Sequence, residues 1–171
     1  MGKLIGSLCI LTGCTVLVAS WMEHMKRRGQ CMLEIIRFLG DWEYCLQIKK
    51  MRVPAFLETY PFAVPEFRLM MEDIRTGLLS HSYPTGQEVW REALEKHKSA
   101  LGLPEEACQI LMRSADGFFG AGSRQAQQCI QTCIQMMESV SEQERKNYRE
   151  KRKVYMPVGM LTGVMIVILL L

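Results

Sequence analysis

The sequence is poor in groups that do chemistry. Its three histidines, His24, His81 and His97, lie far apart with no partner at ligand spacing, and it holds neither a Gly-x-x-x-x-Gly-Lys-Ser phosphate loop nor a Gly-x-Ser-x-Gly elbow. Seven cysteines, at 9, 14, 31, 45, 108, 129 and 133, are an odd set without a Cys-x-x-Cys pair. They do not form a secreted disulfide framework and suit a reducing compartment. Cys129 and Cys133, one helical turn apart, could place two thiolates on one metal, but no nearby His or third Cys completes a tetrahedral set. The plainer reading is two small apolar side chains in a core. No catalytic residue, metal or cofactor is therefore expected, and the chain reads as a non-enzyme.

Charge is also missing, and its absence is localised. From Leu4 to Met22, and again from Val154 to Leu171, there is no Asp, Glu, Lys, Arg or His. At about 1.5 Å per residue each run reaches roughly 27 to 29 Å as a helix, close to the hydrocarbon thickness of a bilayer. Neither run has the polar face of a buried helix in a water-soluble fold. Two rivals attach to the first run. One is a cleaved signal peptide, with Lys3 as its basic region and Val18-Ala19-Ser20 as the cleavage site. The other is a processed surface lipoprotein, because Leu11-Thr-Gly-Cys14 matches a lipobox. The apolar run continues past Cys14, which favours an uncleaved span.

The expected division is thus 1-24 as an N-terminal transmembrane helix, 25-153 as a cytoplasmic helical domain and 154-171 as a C-terminal transmembrane helix. Orientation follows from basic residues at the inner ends. Lys26, Arg27 and Arg28 follow the first run, and Arg145, Lys146, Arg149, Lys151, Arg152 and Lys153 precede the second, against Lys3 alone outside. The same clusters suit anionic lipid headgroups. Nucleic acid is not expected, because the central domain is close to charge balance. Gly159-Met-Leu-Thr-Gly163 is a Gly-x-x-x-Gly pair, and Gly2, Gly6, Cys9 and Gly13 align small residues, so the spans are expected to pack through Gly6, Gly13, Gly159 and Gly163. Whether they pair within a chain or between copies in a homo-oligomer stays open.

Between the runs the pattern is helical and the class all-α, with no persuasive strand or repeat. Met32, Ile36, Leu39, Trp42 and Leu46 predict a helix running to about Lys50. Val53 to Pro65 holds three prolines and reads as a turn with a short helix near Ala55 to Thr59. Pro65 and Pro104 each suit the first turn of a helix. Thr85-Gly-Gln-Glu88 is a capping box, and Gly102 punctuates the chain after it. The longest soluble helix carries Ala126, Ile130, Cys133, Met137 and Val140 on one face. Ser141-Glu-Gln-Glu144 offers a break in it, and Pro157 a kink. Trp90 and the methionine-rich faces read as core.

The ordered set of features resembles the stage III sporulation protein AB family of spore-forming bacteria over essentially the whole chain. It comprises the Lys3-Leu-Ile-Gly6 opening, the basic flank, the Leu33-Glu-Ile-Ile36 helix, the proline turn, Trp90-Arg-Glu-Ala-Leu94, and Phe119-Gly-Ala-Gly-Ser-Arg-Gln-Ala-Gln127 before a basic helix and terminal span. Phe119, Gly120, Ser123 and Gln127 look like the family's turn motif. Phe119 stands where the family usually has Leu, and Ser123 where it usually has Asp; both Ser and Asp cap helices. The resemblance implies a non-enzymatic platform subunit of a channel or secretion complex joining mother cell and forespore. It implies a place in the mother-cell (outer forespore) membrane, with the middle domain in the cytoplasm. The soluble helices are similar to the cytoplasmic domain of type II secretion platform proteins. The partners implied are a cytosolic secretion-type ATPase, stage III sporulation protein AA, and other membrane subunits of the channel.

Overall fold

Apolar residues at steps of three and four build helices throughout the chain. The computed structural model describes residues 2–49, 53–80, 83–120 and 123–170, with few side chains placed in the two uncharged runs. Six helices follow in order: α1 (Gly2–Tyr44), α2 (Val53–Thr59), α3 (Pro65–Ser80), α4 (Gly86–Leu101), α5 (Glu105–Gly120) and α6 (Ser123–Leu170). A π-helical turn, Cys45–Lys49, closes α1. There is no strand among the described residues, so the class is all-α. The chain divides into two compact units, one of Arg28–Glu142 and one of Met1–Arg27 with Gln143–Leu171.

Helix ends are set by local chemistry. Thr85, with φ −140° and ψ 151°, caps α4, its hydroxyl accepting from the Glu88 N–H. Gly102 stops the helix in the left-handed region at φ 60°, where its N–H donates to the Lys98 carbonyl. Pro65 is the first residue of α3, as its fixed φ favours. Pro104 instead lies one residue ahead of α5, its carbonyl accepting from the Cys108 N–H at 3.1 Å. Glu105 and Glu106 then sit at the positive end of the helix dipole. The break offered at Ser141 is not used. Ser141 is 7 % exposed and α6 passes through it, because the stripe from Ala126 to Val140 already holds that helix against the core. α6 also continues through Pro157.

The core of the Arg28–Glu142 unit is organised by α1. Phe38 meets Phe56, Tyr60 and Phe67 at ring-centroid distances of 5.4, 5.2 and 5.4 Å. One turn later, Trp42 meets Trp90, Phe118 and Phe119 at 6.1, 5.2 and 5.9 Å. Such pairs contribute about 0.5–1.5 kcal/mol beyond area burial. The Trp90 indole N–H donates to the Leu111 carbonyl at 3.2 Å and so ties α4 to α5. Unbranched side chains close the remaining gaps: Met32, Met70, Met71 and Met137 are all within 2 % of complete burial. Gly117 lets α5 approach α6, since a Cβ there would fall 2.6 Å from Cβ of Cys129.

Among the described residues one carboxylate is buried. Glu34, 6 % exposed, accepts from the Ala63 N–H through Oε1 and from the Val64 N–H through Oε2, each at 2.6 Å. These amides precede α3 in the proline-rich segment, where no helical carbonyl reaches them. Asp73 of α3 takes the Lys96 ammonium at 2.7 Å and His97 Nε2 at 2.8 Å, both from α4.

Two outcomes follow for stability, measured by urea unfolding of the detergent-solubilised chain. Glu34→Ala leaves two part-buried N–H groups without this acceptor and lowers stability by about 1–3 kcal/mol, while Glu34→Gln, which keeps one acceptor, loses less. The Asp73 carboxyl is held below its ordinary value, first by the hydrogen bonds from Lys96 and His97. A depressed carboxylate contributes stability above its unfolded value, about 4, and loses it as pH falls through the folded value. Asp73→Asn therefore lowers stability at pH 7 by about 1 kcal/mol or less, as for exposed pairs. That deficit disappears at strongly acidic pH.

Candidate functional site

The residues expected at the membrane boundary do not behave alike. Lys26 and Arg27 are exposed, and Arg27 pairs with Glu23 at 3.4 Å across one turn, both side chains 67 % exposed. Arg28 does something else. Its Nε donates to the carbonyl of Gly102, so this guanidinium closes the C-terminus of α4. Lys151 and Lys153 are exposed, and among the described residues no carboxylate lies within ion-pair distance of them. The Arg152 side chain lies outside the described residues. Of the glycines expected to pack the spans, Gly13 is exposed, and a Cβ on it would meet nothing described within 4 Å. The surroundings of Gly6, Gly159 and Gly163 lie outside the described residues. Among the described residues no helix is long and apolar enough to cross a membrane. Within the two uncharged runs, those residues include only Gly13, Val16, Ser20 and Met165 beyond the backbone.

The turn motif is clearest at Phe119. Its ring is half-buried, 5.9 Å from Trp42 and 6.2 Å from Trp90, and lies so close over Gly86 that a Cβ there would come within 2.6 Å of it. An aromatic ring thus joins the second cluster at the end of α5. Gly120 is the last residue of α5 and Ser123 the first of α6, while Ala121, Gly122 and the Ser123 side chain lie outside the described residues. Gln127 is half-buried one turn into α6.

A groove of about 330 Å³ opens between α2 with its following loop and α3. Tyr60 and Phe62 form its aromatic wall, and Arg68, Glu72 and Arg75 line it from α3. The Glu34 carboxylate fixes the loop that makes the wall, a role that the sequence pattern alone did not reveal. Burial, then Asp41 and Glu34, pushes the Tyr60 hydroxyl up to about 12, so it stays protonated at neutral pH. Two guanidiniums, with Glu58 and Glu72, can bind polar groups of a protein partner, but they supply no activated nucleophile.

The described cysteines are free thiols, with Cys31, Cys45, Cys108 and Cys133 buried and Cys129 half-buried. Burial pushes the Cys31 thiol up to about 12 and the Cys133 thiol up to about 11. A protonated thiol is a poor nucleophile and a poor metal ligand. The Cys129 thiol donates to the Ser114 carbonyl at 3.6 Å. Among the described residues no group of three or more His, Cys, Asp or Glu is placed to hold a metal ion. His97 is engaged with Asp73, and His81 lies outside the described residues.

The comparisons with known proteins bear on this arrangement. No curated protein matches the chain. A solved structure of stage III sporulation protein AB superposes with a TM-score of 0.52 at 10 % identity, covering 74 % of this chain and 94 % of that one. At that identity the likeness is one of fold. The family model described as stage III sporulation protein AB matches residues 3–171. With nearly the whole chain inside that match, the protein belongs to the stage III sporulation protein AB family.

Proposed function

We propose that this protein is a non-enzymatic membrane platform subunit of the assembly linking mother cell and forespore, which docks a cytosolic secretion-type ATPase. In this reading residues 4–22 and 154–171 cross the mother-cell membrane, and the Arg28–Glu142 unit stands in the cytoplasm. The observation that carries it is the pairing of two uncharged helical ends with basic residues on the side of one helical unit. Positive charge retained on the cytoplasmic side orients both ends the same way. Family membership supplies the sporulation context.

A platform needs a rigid body, because motion imposed by an ATPase reaches neighbouring subunits only if the domain does not yield. The double aromatic cluster, the Glu34 clamp and the Arg28 cap meet that need. The ATPase expected is stage III sporulation protein AA, and exposed charge supplies its footing: the groove offers Arg68 and Arg75 beside Glu58 and Glu72. Charged rims of this kind steer association and fix register more than they add affinity.

Two outcomes check this reading. In vesicles carrying the full-length chain, the purified ATPase floats with the lipid, and it stays at the bottom of the gradient with empty vesicles; equal behaviour in the two would defeat the docking role. Met165, 65 % exposed, lies centrally in the second run. Met165→Arg there costs about 2.5–3.5 kcal/mol of insertion free energy, as much as about five aliphatic residues contribute. Carbonate extraction and protease protection should show that the second end of the variant no longer inserts. Unchanged behaviour would remove that span from the reading.

A further inference from the structure

Arg149 of α6 has only bases beside it. A helix sets residues three and four apart side by side, and for Arg149 those positions are Arg145, Lys146, Arg152 and Lys153. α6 runs unbroken through all of them. Arg145, Lys146, Arg149 and Lys153 are exposed, and none of the ion pairs among the described residues uses them. Like charges at this spacing work against a helix, so the formation of α6 does not account for a patch of five.

The nearby carboxylates leave the centre of this patch positive. In the unit of Met1–Arg27 with Gln143–Leu171 the acidic side chains are Glu23, Glu144 and Glu150. Glu23 pairs with Arg27 at 3.4 Å. Three and four residues beyond Glu144 stand Asn147 and Tyr148, and Glu144 and Tyr148 are both half-buried on another side of the helix. Glu150 stands one turn from Lys146 and from Lys153, and Glu142 one turn before Arg145 and Lys146, so both reach only the rim. Lys151 provides a contrast at the same level. It is exposed, two residues on from Arg149 and so about 200° around the helix, and its neighbours there are Asn147, Tyr148, Val154 and Tyr155.

Position along the chain decides which anion the patch meets. Val154, directly after Lys153, opens the second uncharged run, and Arg149 lies four residues, about 6 Å, before Lys153. A headgroup layer is roughly 5–8 Å thick on each side of the hydrocarbon, so with that run in a bilayer Arg149 stands at the level of the phosphates. A guanidinium takes a phosphate through two parallel N–H donors. A zwitterionic lipid carries its own ammonium beside the phosphate, so a surplus of bases favours a lipid of net negative charge. We propose that the Arg149 patch is a binding site for the phosphate of an anionic glycerophospholipid, beyond any part it has in orienting the chain. The inference rests on the membrane reading of residues 154–171 and deepens it.

The test places the full-length chain in phosphatidylcholine vesicles with a trace of spin-labelled phosphatidylglycerol or, in parallel, spin-labelled phosphatidylcholine. The fraction of motionally restricted label gives the relative association of the two lipids. Phosphatidylglycerol is expected to be preferred by about tenfold, and Arg149→Gln to lower that preference about fivefold. Arg149→Lys, which keeps the charge, retains most of it, and Lys151→Gln changes it by less than about twofold. Arg149 and Lys151 are both exposed, so helical circular dichroism stays the same in each variant. A photo-crosslinking amino acid at Lys146, in membranes of the cells that make the protein, attaches to lipid. Restriction of neither label would remove the membrane reading together with this site. Equal restriction of both labels, equal losses from Arg149→Gln and Lys151→Gln, or attachment at Lys146 to a protein alone would overturn the lipid site and leave the span in place.

Discussion

Phe38 and Trp42 lie one turn apart on α1, and the rest of the Arg28–Glu142 unit is arranged around that pair. Phe38 gathers the rings of α2, its following loop and α3, while Trp42 gathers those of α4 and α5. Their own centroids are 5.9 Å apart, so the two clusters touch through a single helix. Aromatic contacts are directional as well as apolar, which fixes the rotation of each partner helix about its own axis. The remaining devices act on what this junction leaves loose. Glu34 holds the approach to α3, Trp90 binds α4 to α5, and Arg28 finishes α4.

What could be read from the sequence divides by distance along the chain. The α4 boundaries were legible because both signals are local: Thr85 caps an amide three residues ahead, and Gly102 turns back on Lys98. The core stripe of α6 was legible for the same reason, since one helical period reports one face. Glu34 was not. Its partners are 29 and 30 residues away, and nothing in Leu33-Glu-Ile-Ile36 distinguishes a clamp from a solvated carboxylate. Arg28 was hidden more thoroughly, because a basic residue beside an apolar run has an adequate explanation in the membrane boundary. Its true acceptor lies 74 residues on. The unused break at Ser141 shows the converse: a correct local capping pattern was overridden by tertiary packing of the whole helix.

Function is legible mainly as architecture. The family match places this helical chain in sporulation. The chain's surface then divides into faces of different character. The groove by α3 is charged on both sides, with Arg68 and Arg75 beside Glu58 and Glu72. The outer face of α1 exposes Leu33, Tyr44 and Ile48 beside Arg37 and Asp41.

The four buried methionines have a consequence on an evolutionary scale. A thioether chain has three rotatable bonds and a polarisable sulfur, so it can flow around a neighbour that gains or loses a methyl group. Volume-conserving changes in such an interior are among the best tolerated. A lineage can therefore replace most of its letters, as the 10 % identity to a chain of like fold illustrates, while keeping the same helical frame. Drift of that kind erases pairwise resemblance long before it erases shape.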